Sequence, residues 1–300
     1  MEEPLSRPRA HALLHFTVLL WGATAILGKS ISVAALPLVF YRVVIVTALM
    51  AIVLARRGVP FGVPWRRAAE LAGAGVFVAL HWVLFYGAIK VAGVTVAVLC
   101  LSTITFFTAL LEPIVFRRAV RRHELVLGAL VVAGVVLLLR LEVHASPLGY
   151  GMGLGSAFFS AAFGTWNGSL AVRERPERVT MYELGAAAIA CGVAFLALGG
   201  FVPPWQVSAR DWGLLGFLAV ACTLLPWLWS LRVLRTLSPY TVAISVSLEP
   251  VYSIVFAYLI WPEEERLGVR FYVGAALLVG LVFVNAALKG QRNRMQRPPE

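Results

Sequence analysis

The chain has 300 residues, of which 60% are hydrophobic and 14% charged; its mean hydropathy is +0.84 and its formal net charge is +11. This composition excludes a soluble domain, which needs far more polar surface to stay in solution. The positive charge does not indicate nucleic-acid binding, because the basic residues lie between apolar runs rather than on one face of a soluble module.

Ten apolar runs follow one another, each close to the roughly 20 residues that a helix needs to cross a bilayer. Their length and the lack of alternating polarity exclude strands. We therefore predict an all-α membrane protein of ten transmembrane helices, the first an uncleaved span rather than a signal peptide. The predicted spans are residues 11–30, 36–55, 68–89, 92–116, 124–141, 147–172, 180–201, 210–233, 239–261 and 268–288.

The lysines and arginines predict the orientation of these spans. If the N-terminus is cytoplasmic, the cytoplasmic segments carry 19 of the 26 basic residues and the opposite side carries six, with Arg42 inside span two. The acidic cluster Glu263–Glu265 also falls on the opposite side. Because basic residues favour the cytoplasmic side, we predict that both termini are cytoplasmic.

An internal repeat divides the predicted spans into two sets of five. Leu127–Val136 matches Val273–Val282 at an offset of 146, with both glycines in register, and Trp21 and Trp166 differ by 145. An odd number of spans per half makes the second half insert upside down, a pattern typical of secondary transporters. The predicted segments are a tail at 1–10, repeats at 11–141 and 147–288, and a basic tail at 289–300.

Several short patterns occur in a characteristic order. They are Trp21-Gly22 before Lys29, Pro37 before Arg42, Leu237-Ser238-Pro239, Leu248-Glu249-Pro250, Glu265-Arg266-Leu267, and Gly274-Ala275-Ala276-Leu277 before Gly280. In these patterns the chain resembles, over nearly its whole length, the EamA-type transporters of the drug/metabolite transporter superfamily. It departs from them at Thr105, where a proline is common.

The resemblance implies two inverted five-helix repeats around a central cavity formed by spans one, three, four, six, eight and nine. It also implies a multi-pass protein of the bacterial inner membrane that exports small metabolites by alternating access. The aromatic residues of the expected cavity spans resemble those of YddG-type amino-acid exporters most closely, which favours neutral or aromatic amino acids as substrates.

Eleven residues at the expected cavity depth are candidates for substrate binding. They are Trp21, Thr24, His81, Phe85, Tyr86, Ser102, Trp166, Trp227, Ser245, Ser247 and Glu249. Glu249 is either a proton site or amine anchor, or a structural acid beside Pro250, because a carboxylate at midplane costs roughly 2.5–3.5 kcal/mol. His81 shares a helix face with Phe85 and is either a relay or a hydrogen-bonding group between helices. The serines and tryptophans have packing as their alternative role.

Three other charged residues are expected near the membrane surface. Arg42 and Glu183 occupy related early positions in spans two and seven, from which both side chains can extend to water. Glu112 is expected to pair on the surface with neighbouring arginines. Pro226 and Pro250 predict bends, because each removes a backbone donor.

Two other functions remain open at this stage. A drug exporter of the same fold with cationic substrates would need acidic cavity residues, and only Glu249 qualifies. An intramembrane lipid-modifying enzyme would need converging catalytic groups, and the sequence has no HExxH, GxSxG or Walker pattern. We expect no cofactor, no metal and no enzymatic activity. The expected partners are a small-molecule substrate and membrane lipid, and the functional unit is expected to be a monomer.

Overall fold

The computed structural model describes residues 5–142 and 147–262, and residues 268, 269, 273, 274, 276, 277 and 280 beyond them. The helices are α1 (Arg7–Ser30), α2 (Ala35–Arg56), α3 (Trp65–Leu101), α4 (Ile104–Val115), α5 (Arg122–Glu142), α6 (Pro147–Leu170), α7 (Pro176–Leu198), α8 (Ala209–Ala219), α9 (Leu225–Val233), α10 (Pro239–Val246) and α11 (Glu249–Ile260). A 3₁₀ turn covers Pro204–Gln206, and a π-helical turn, Val220–Leu224, joins α8 to α9. Predicted span ten, the acidic cluster and the second copy of the matching segment lie almost entirely outside the described residues.

Six helical stretches of the described residues are long and apolar enough to cross a membrane. They are α1, α2, α3, α7, α8 through α9, and α10 through α11. On α7, Ile189, Leu196 and Leu198 expose 70%, 90% and 81% of their surface. Apolar side chains this exposed belong in lipid rather than water. The prediction of an all-α, multi-pass membrane protein is confirmed, while the count of ten spans stays a prediction.

Two predicted spans are each interrupted near the middle. Span four breaks at Ser102–Thr103, between α3 and α4, and span nine breaks at Ser247–Leu248, between α10 and α11. The two breaks meet, because the hydroxyls of Thr105 and Ser247 are 2.7 Å apart. The second break was predicted from Pro250, whereas the first lacks a proline and was not.

Spans three and four are also less separate than predicted. The helix α3 continues from one into the other, with a kink at Gly93, where φ is +87° and ψ is 169°. A side chain would strain this backbone, which is why glycine occupies the kink. At Pro226, where a bend was predicted, the α-helix is interrupted by the π-helical turn that ends at Leu224.

Contacts between connecting segments define two faces of the helix bundle. On the N-terminal face, the hydroxyl of Thr236 donates to Leu5 O at 3.1 Å, and Arg235 Nε donates to Ala171 O at 2.8 Å. On the opposite face, called the far face here, Ser32 donates twice to Asp211. The segments at 56–67, 116–122 and 171–178, which carry 11 of the 23 arginines, lie on the N-terminal face.

Two tyrosines make matching contacts on these two faces. Tyr41 of α2 donates from its hydroxyl to Val202 O on the far face. Tyr182 of α7 donates from its hydroxyl to Phe61 O on the N-terminal face, at 3.0 Å. The same sequence offset separates the two tyrosines and their two acceptors. Such reciprocity is what a two-fold relation between the halves requires.

Small residues let α6 approach its neighbours closely. A Cβ on Gly153 would lie 2.6 Å from Cys100 Cβ of α3, so the backbone of α6 packs directly against the Cys100 side chain there. At the N-terminal face, Glu112 Oε2 accepts a hydrogen bond from Tyr240 N, at 3.0 Å, and Oε1 lies 3.5 Å from Arg118 Nη2. Glu112 is only 6% exposed. Glu112 therefore forms the expected ion pair with a neighbouring arginine, but as a buried acid that also accepts a hydrogen bond from the first turn of α10 rather than as a surface pair.

Candidate functional site

A cavity with about 840 Å³ of free space, including its mouth, lies inside the helix bundle. All six spans expected to surround a central cavity contribute to its wall, and α2 adds Arg42. The contributions of α6, α9 and α10 come from the helix halves nearer the N-terminal face. The contributions of α1, α2 and α3, among them Trp21, Arg42 and Phe85, come from the halves nearer the far face, so the cavity lies near the middle of the bundle.

Aromatic rings form much of the cavity wall. The rings of Trp82 and Trp227 meet edge to face with centroids 5.4 Å apart, and Phe163 stacks on Trp227 at 5.3 Å. Trp21 and Phe85 complete this aromatic lining. An apolar wall with a few polar groups is typical of small-molecule sites, in which the rings bind apolar groups and the polar groups fix orientation.

Arg42 lies in the cavity wall and is 1% exposed. Its Nε donates to Thr223 Oγ1 at 2.5 Å, its Nη1 donates to Tyr86 Oη at 2.7 Å, and its guanidinium lies 3.9 Å from the Trp82 ring centroid. Among the described residues, Nη2 has no protein acceptor. The expectation that Arg42 extends to water was wrong, because these three partners compensate the buried charge.

Glu249, the first residue of α11, also lines the cavity and is 4% exposed. Its carboxyl forms no hydrogen bond to another described residue, and it lies near enough to Arg42 for the two charges to attract. The N-terminus of a helix stabilises negative charge at this position. His81 lines the wall as well, where its Nδ1 lies 2.9 Å from both the carbonyl and the hydroxyl oxygen of Ser156.

The structure brings six of the eleven predicted residues to the cavity wall. They are Trp21, Thr24, His81, Phe85, Trp227 and Glu249. A seventh, Tyr86, does not line the cavity, but its hydroxyl accepts a hydrogen bond from the wall residue Arg42.

The other four predicted residues lie away from the cavity. Ser102 and Ser245 donate to carbonyls one helical turn back, at 3.4 and 3.2 Å, and Ser247 bonds across the helix crossing. Trp166 packs outward against Phe77, with ring centroids 5.8 Å apart. These four residues were expected in the cavity wall and do not line it. The serines bond nearby groups instead, because hydroxyls in apolar helices form hydrogen bonds to backbone carbonyls or neighbouring helices.

Sequence reasoning missed several wall residues. Arg42 was assigned to the membrane surface, and Trp82, Phe163, Thr165 and Asn167 were not assigned to the cavity, although they line it. One signal was present in the sequence: Trp82 and Trp227 differ by 145, the offset of the other repeated pairs.

A second group of buried polar side chains adjoins the cavity at Glu183 of α7. Glu183 is 0% exposed, and its Oε2 accepts a hydrogen bond from Asn167 Nδ2 at 3.2 Å. The indole of Trp227 lies beside this carboxyl. In the described part of the chain, Asn167 Oδ1 has no hydrogen-bond partner, whereas the Trp227 N–H adjoins the Glu183 carboxyl but does not reach good hydrogen-bond geometry with it. Within that part, no cluster of three or more His, Cys, Asp or Glu side chains forms a potential metal site.

Comparisons with known proteins agree with this architecture. The profile of the EamA-like transporter family matches residues 9–140 and 147–286. A protein of Archaeoglobus fulgidus described as an uncharacterized transporter is 25% identical over 294 residues, covering 94% of this chain and 99% of that protein. A solved crystal structure whose title states no function superposes with a TM-score of 0.73 at 20% identity, over 97% of this chain and all of the other. The last similarity shows the fold alone.

Proposed function

Because the chain belongs to the EamA-like transporter family, we propose that it is a secondary transporter that exports neutral or aromatic amino acids by alternating access. It is a multi-pass membrane protein, and we place it in a bacterial inner membrane with both termini in the cytoplasm. The proposed architecture is two inverted repeats of five helices each. One chain encloses the cavity, which supports a functional monomer.

The observation that carries the substrate class is the presence of Arg42 and Glu249 in one aromatic-lined cavity. The unpaired Nη2 of Arg42 provides donors for a substrate carboxylate, and Glu249 provides an acceptor for its ammonium group. The faces of Trp82, Phe163 and Trp227 suit an apolar or aromatic side chain. A zwitterion thus balances both cavity charges, whereas a simple cation leaves Arg42 without a counter-charge.

The broken helices support alternating access. At the crossing of spans four and nine, four helix ends meet inside the bundle, and the intact hydrogen-bond ladder of a continuous helix is absent there. Discontinuous helices at a repeat interface allow one helix set to rock against the other around a central site. A cavity near the middle of the bundle, lined by both halves of the chain, supports a central site for such a cycle.

The test is uptake of labelled phenylalanine into proteoliposomes, in competition with phenylalanine amide and phenethylamine, which lack the carboxylate. Saturable uptake that only carboxylate-bearing compounds inhibit is expected. Arg42→Lys loses the planar fork and should weaken binding about 10- to 150-fold, which is the loss of about 1.5–3 kcal/mol for a charge-assisted hydrogen bond. Glu249→Gln should weaken it by a similar factor.

The control variant is Glu174→Gln, which changes a carboxyl that pairs with Arg178 at 3.1 Å on the N-terminal face. Its uptake should equal that of the wild type. Stronger inhibition by phenethylamine than by phenylalanine would overturn the amino-acid class and favour an exporter of cationic drugs. Equal uptake by the wild type and both cavity variants would remove Arg42 and Glu249 from the site.

A further inference from the structure

Arg42 and Glu183 occupy equivalent positions of the two halves. Each follows one of the two tyrosines, Tyr41 and Tyr182, whose reciprocal contacts relate the halves. Each also lies beside a tryptophan of the pair that differs by 145: Arg42 beside Trp82, and Glu183 beside Trp227. A positive and a negative side chain therefore flank the central pair of indole rings.

The side chains at the two positions differ in how many of their polar atoms have hydrogen-bond partners. Arg42 donates two hydrogen bonds and packs on the Trp82 ring, whereas Glu183 accepts one hydrogen bond from a neutral amide and adjoins the neutral Trp227 N–H. The atoms without a partner cluster on the Glu183 side. Each buried polar group without a partner costs about 1–3 kcal/mol. Neutral donors alone therefore adjoin Glu183, and Asn167 Oδ1 has no donor in the described part of the chain.

No cation of the surrounding helices compensates Glu183 in the described part of the bundle. On α2, Arg42 is engaged elsewhere, on α3, His81 is bound to Ser156, and Arg232 of α9 does not act on this carboxyl. The helix α6 has no charged residue. Towards the N-terminal face, three arginines pair with carboxyls other than Glu183: Arg57 with Glu177, Arg67 with Glu70, and Arg178 with Glu174. Arg56 and Arg66 on that face are exposed.

We propose that Glu183, Asn167 and Trp227 form a proton-binding site beside the cavity, distinct from Glu249. A fully buried ionised carboxylate without a cation would be costly, whereas a neutral acid completes the group. Asn167 Nδ2 already donates to Oε2. A proton from water that forms an O–H bond on Oε1 gives Asn167 Oδ1 the donor that it lacks, so acid and amide form a pair with two hydrogen bonds.

The proton on Glu183 is linked to the substrate cavity through Trp227. Loss of the proton leaves a bare carboxylate next to Trp227, a wall residue of the substrate cavity, so protonation and cavity shape are linked through one side chain. As a coupling site, Glu183 rests on the proposed transport function. The presence of a proton on the site does not, and it is measured without any substrate.

The direct test is infrared spectroscopy of the purified full-length protein in lipid at neutral pH. The wild type should show the carbonyl band of a protonated carboxylic acid, with a small shift in D₂O, and Glu183→Gln should lose that band. Glu174→Gln, the matched control, should retain it. A band of unchanged intensity in Glu183→Gln would overturn the proposal, and so would a Glu183 carboxylate whose spectrum responds to Na⁺ but not to pH.

Asn167→Val keeps the test decisive if Glu183→Gln does not fold. Removing the amide should shift the acid band to higher frequency, because the carbonyl loses its N–H donor. An unshifted band would show that the protonated acid does not contact Asn167, which contradicts the site.

Coupling is then tested by phenylalanine exchange in proteoliposomes. Glu183→Gln should retain exchange at equal pH and lose the acceleration that a pH gradient gives the wild type. If the infrared band is present and no amino acid is transported, the substrate class fails while the proton site stands. If acceleration by the gradient survives in Glu183→Gln, Glu183 is not the coupling residue.

Discussion

Replacing Tyr86 by phenylalanine removes one hydroxyl from the interior and leaves the shape of the ring unchanged. The main bond lost is the one from Arg42 Nη1, at 2.7 Å, and the contact of the hydroxyl with the Thr24 side chain is lost with it. A hydrogen bond to a charged group contributes about 1.5–3 kcal/mol, and a buried guanidinium nitrogen that loses its acceptor stays desolvated. Thr223 and Trp82 still contact Arg42 in this variant. We therefore expect the free energy of unfolding to fall by about 2 kcal/mol, which is less than the roughly 3–5 kcal/mol that a buried charge without any partner would cost.

The assay is unfolding of the purified protein by SDS in mixed micelles, followed by tryptophan fluorescence. Tyr182→Phe is the matched control, because that hydroxyl also forms a hydrogen bond but lies at the exposed N-terminal face, where its acceptor is a backbone carbonyl. It should cost less than about 0.5 kcal/mol. In an Arg42→Met background, the effect of Tyr86→Phe should largely disappear, since its partner is gone. Equal losses for the two tyrosine variants would refute the reasoning that Tyr86 compensates the charge of Arg42.

Two further predictions concern the far face and the crossing of the broken helices. Asp211→Asn should weaken the hydrogen bonds from Ser32. A cysteine placed at the fully buried Ile31 should then react faster with a membrane-impermeant maleimide. An unchanged rate would show that the Ser32–Asp211 contact does not shield the far face from water. Thr105→Val and Ser247→Ala should show a coupling energy of about 0.6 kcal/mol in a double-mutant cycle of SDS unfolding, the average for hydrogen bonds between membrane helices. Strictly additive losses would mean that the 2.7 Å contact does not stabilise the crossing.

Run length predicted the helices well because a bilayer imposes a fixed length on each span. Spans one and two match α1 and α2 to within a few residues. The break at Ser102–Thr103 was not predictable from local sequence. No proline or glycine occupies it, and Ser247, whose hydroxyl contacts the start of α4, belongs to the other half of the chain.

The cavity lining was predicted only in part, because the residues that meet there come from distant parts of the sequence. Helical periodicity shows which residues share a face but not what that face contacts, so Trp21 and Trp166 looked equivalent although only Trp21 lines the cavity. Arg42 was assigned to the membrane surface because its compensation comes from residues distant in sequence, among them Thr223 at a separation of 181. The depth of an intramembrane charge is informative only when its partners are known.

The reciprocal tyrosine contacts have a consequence for the resting state of the protein. Suppose that during transport each half of the chain takes up the conformation that the other half had before. The Tyr41 and Tyr182 hydrogen bonds are then present both before and after the change, and they stabilise the two conformations of the transporter equally. Tyr41 and Tyr182 then strengthen the bundle without favouring either conformation. Only positions at which the halves differ can bias the equilibrium, and a difference of about 1.4 kcal/mol shifts it tenfold. Arg42 and Glu183 form one such position, so in the proposed cycle their difference contributes to which side of the membrane the empty cavity faces, whereas the contacts that the two halves share do not.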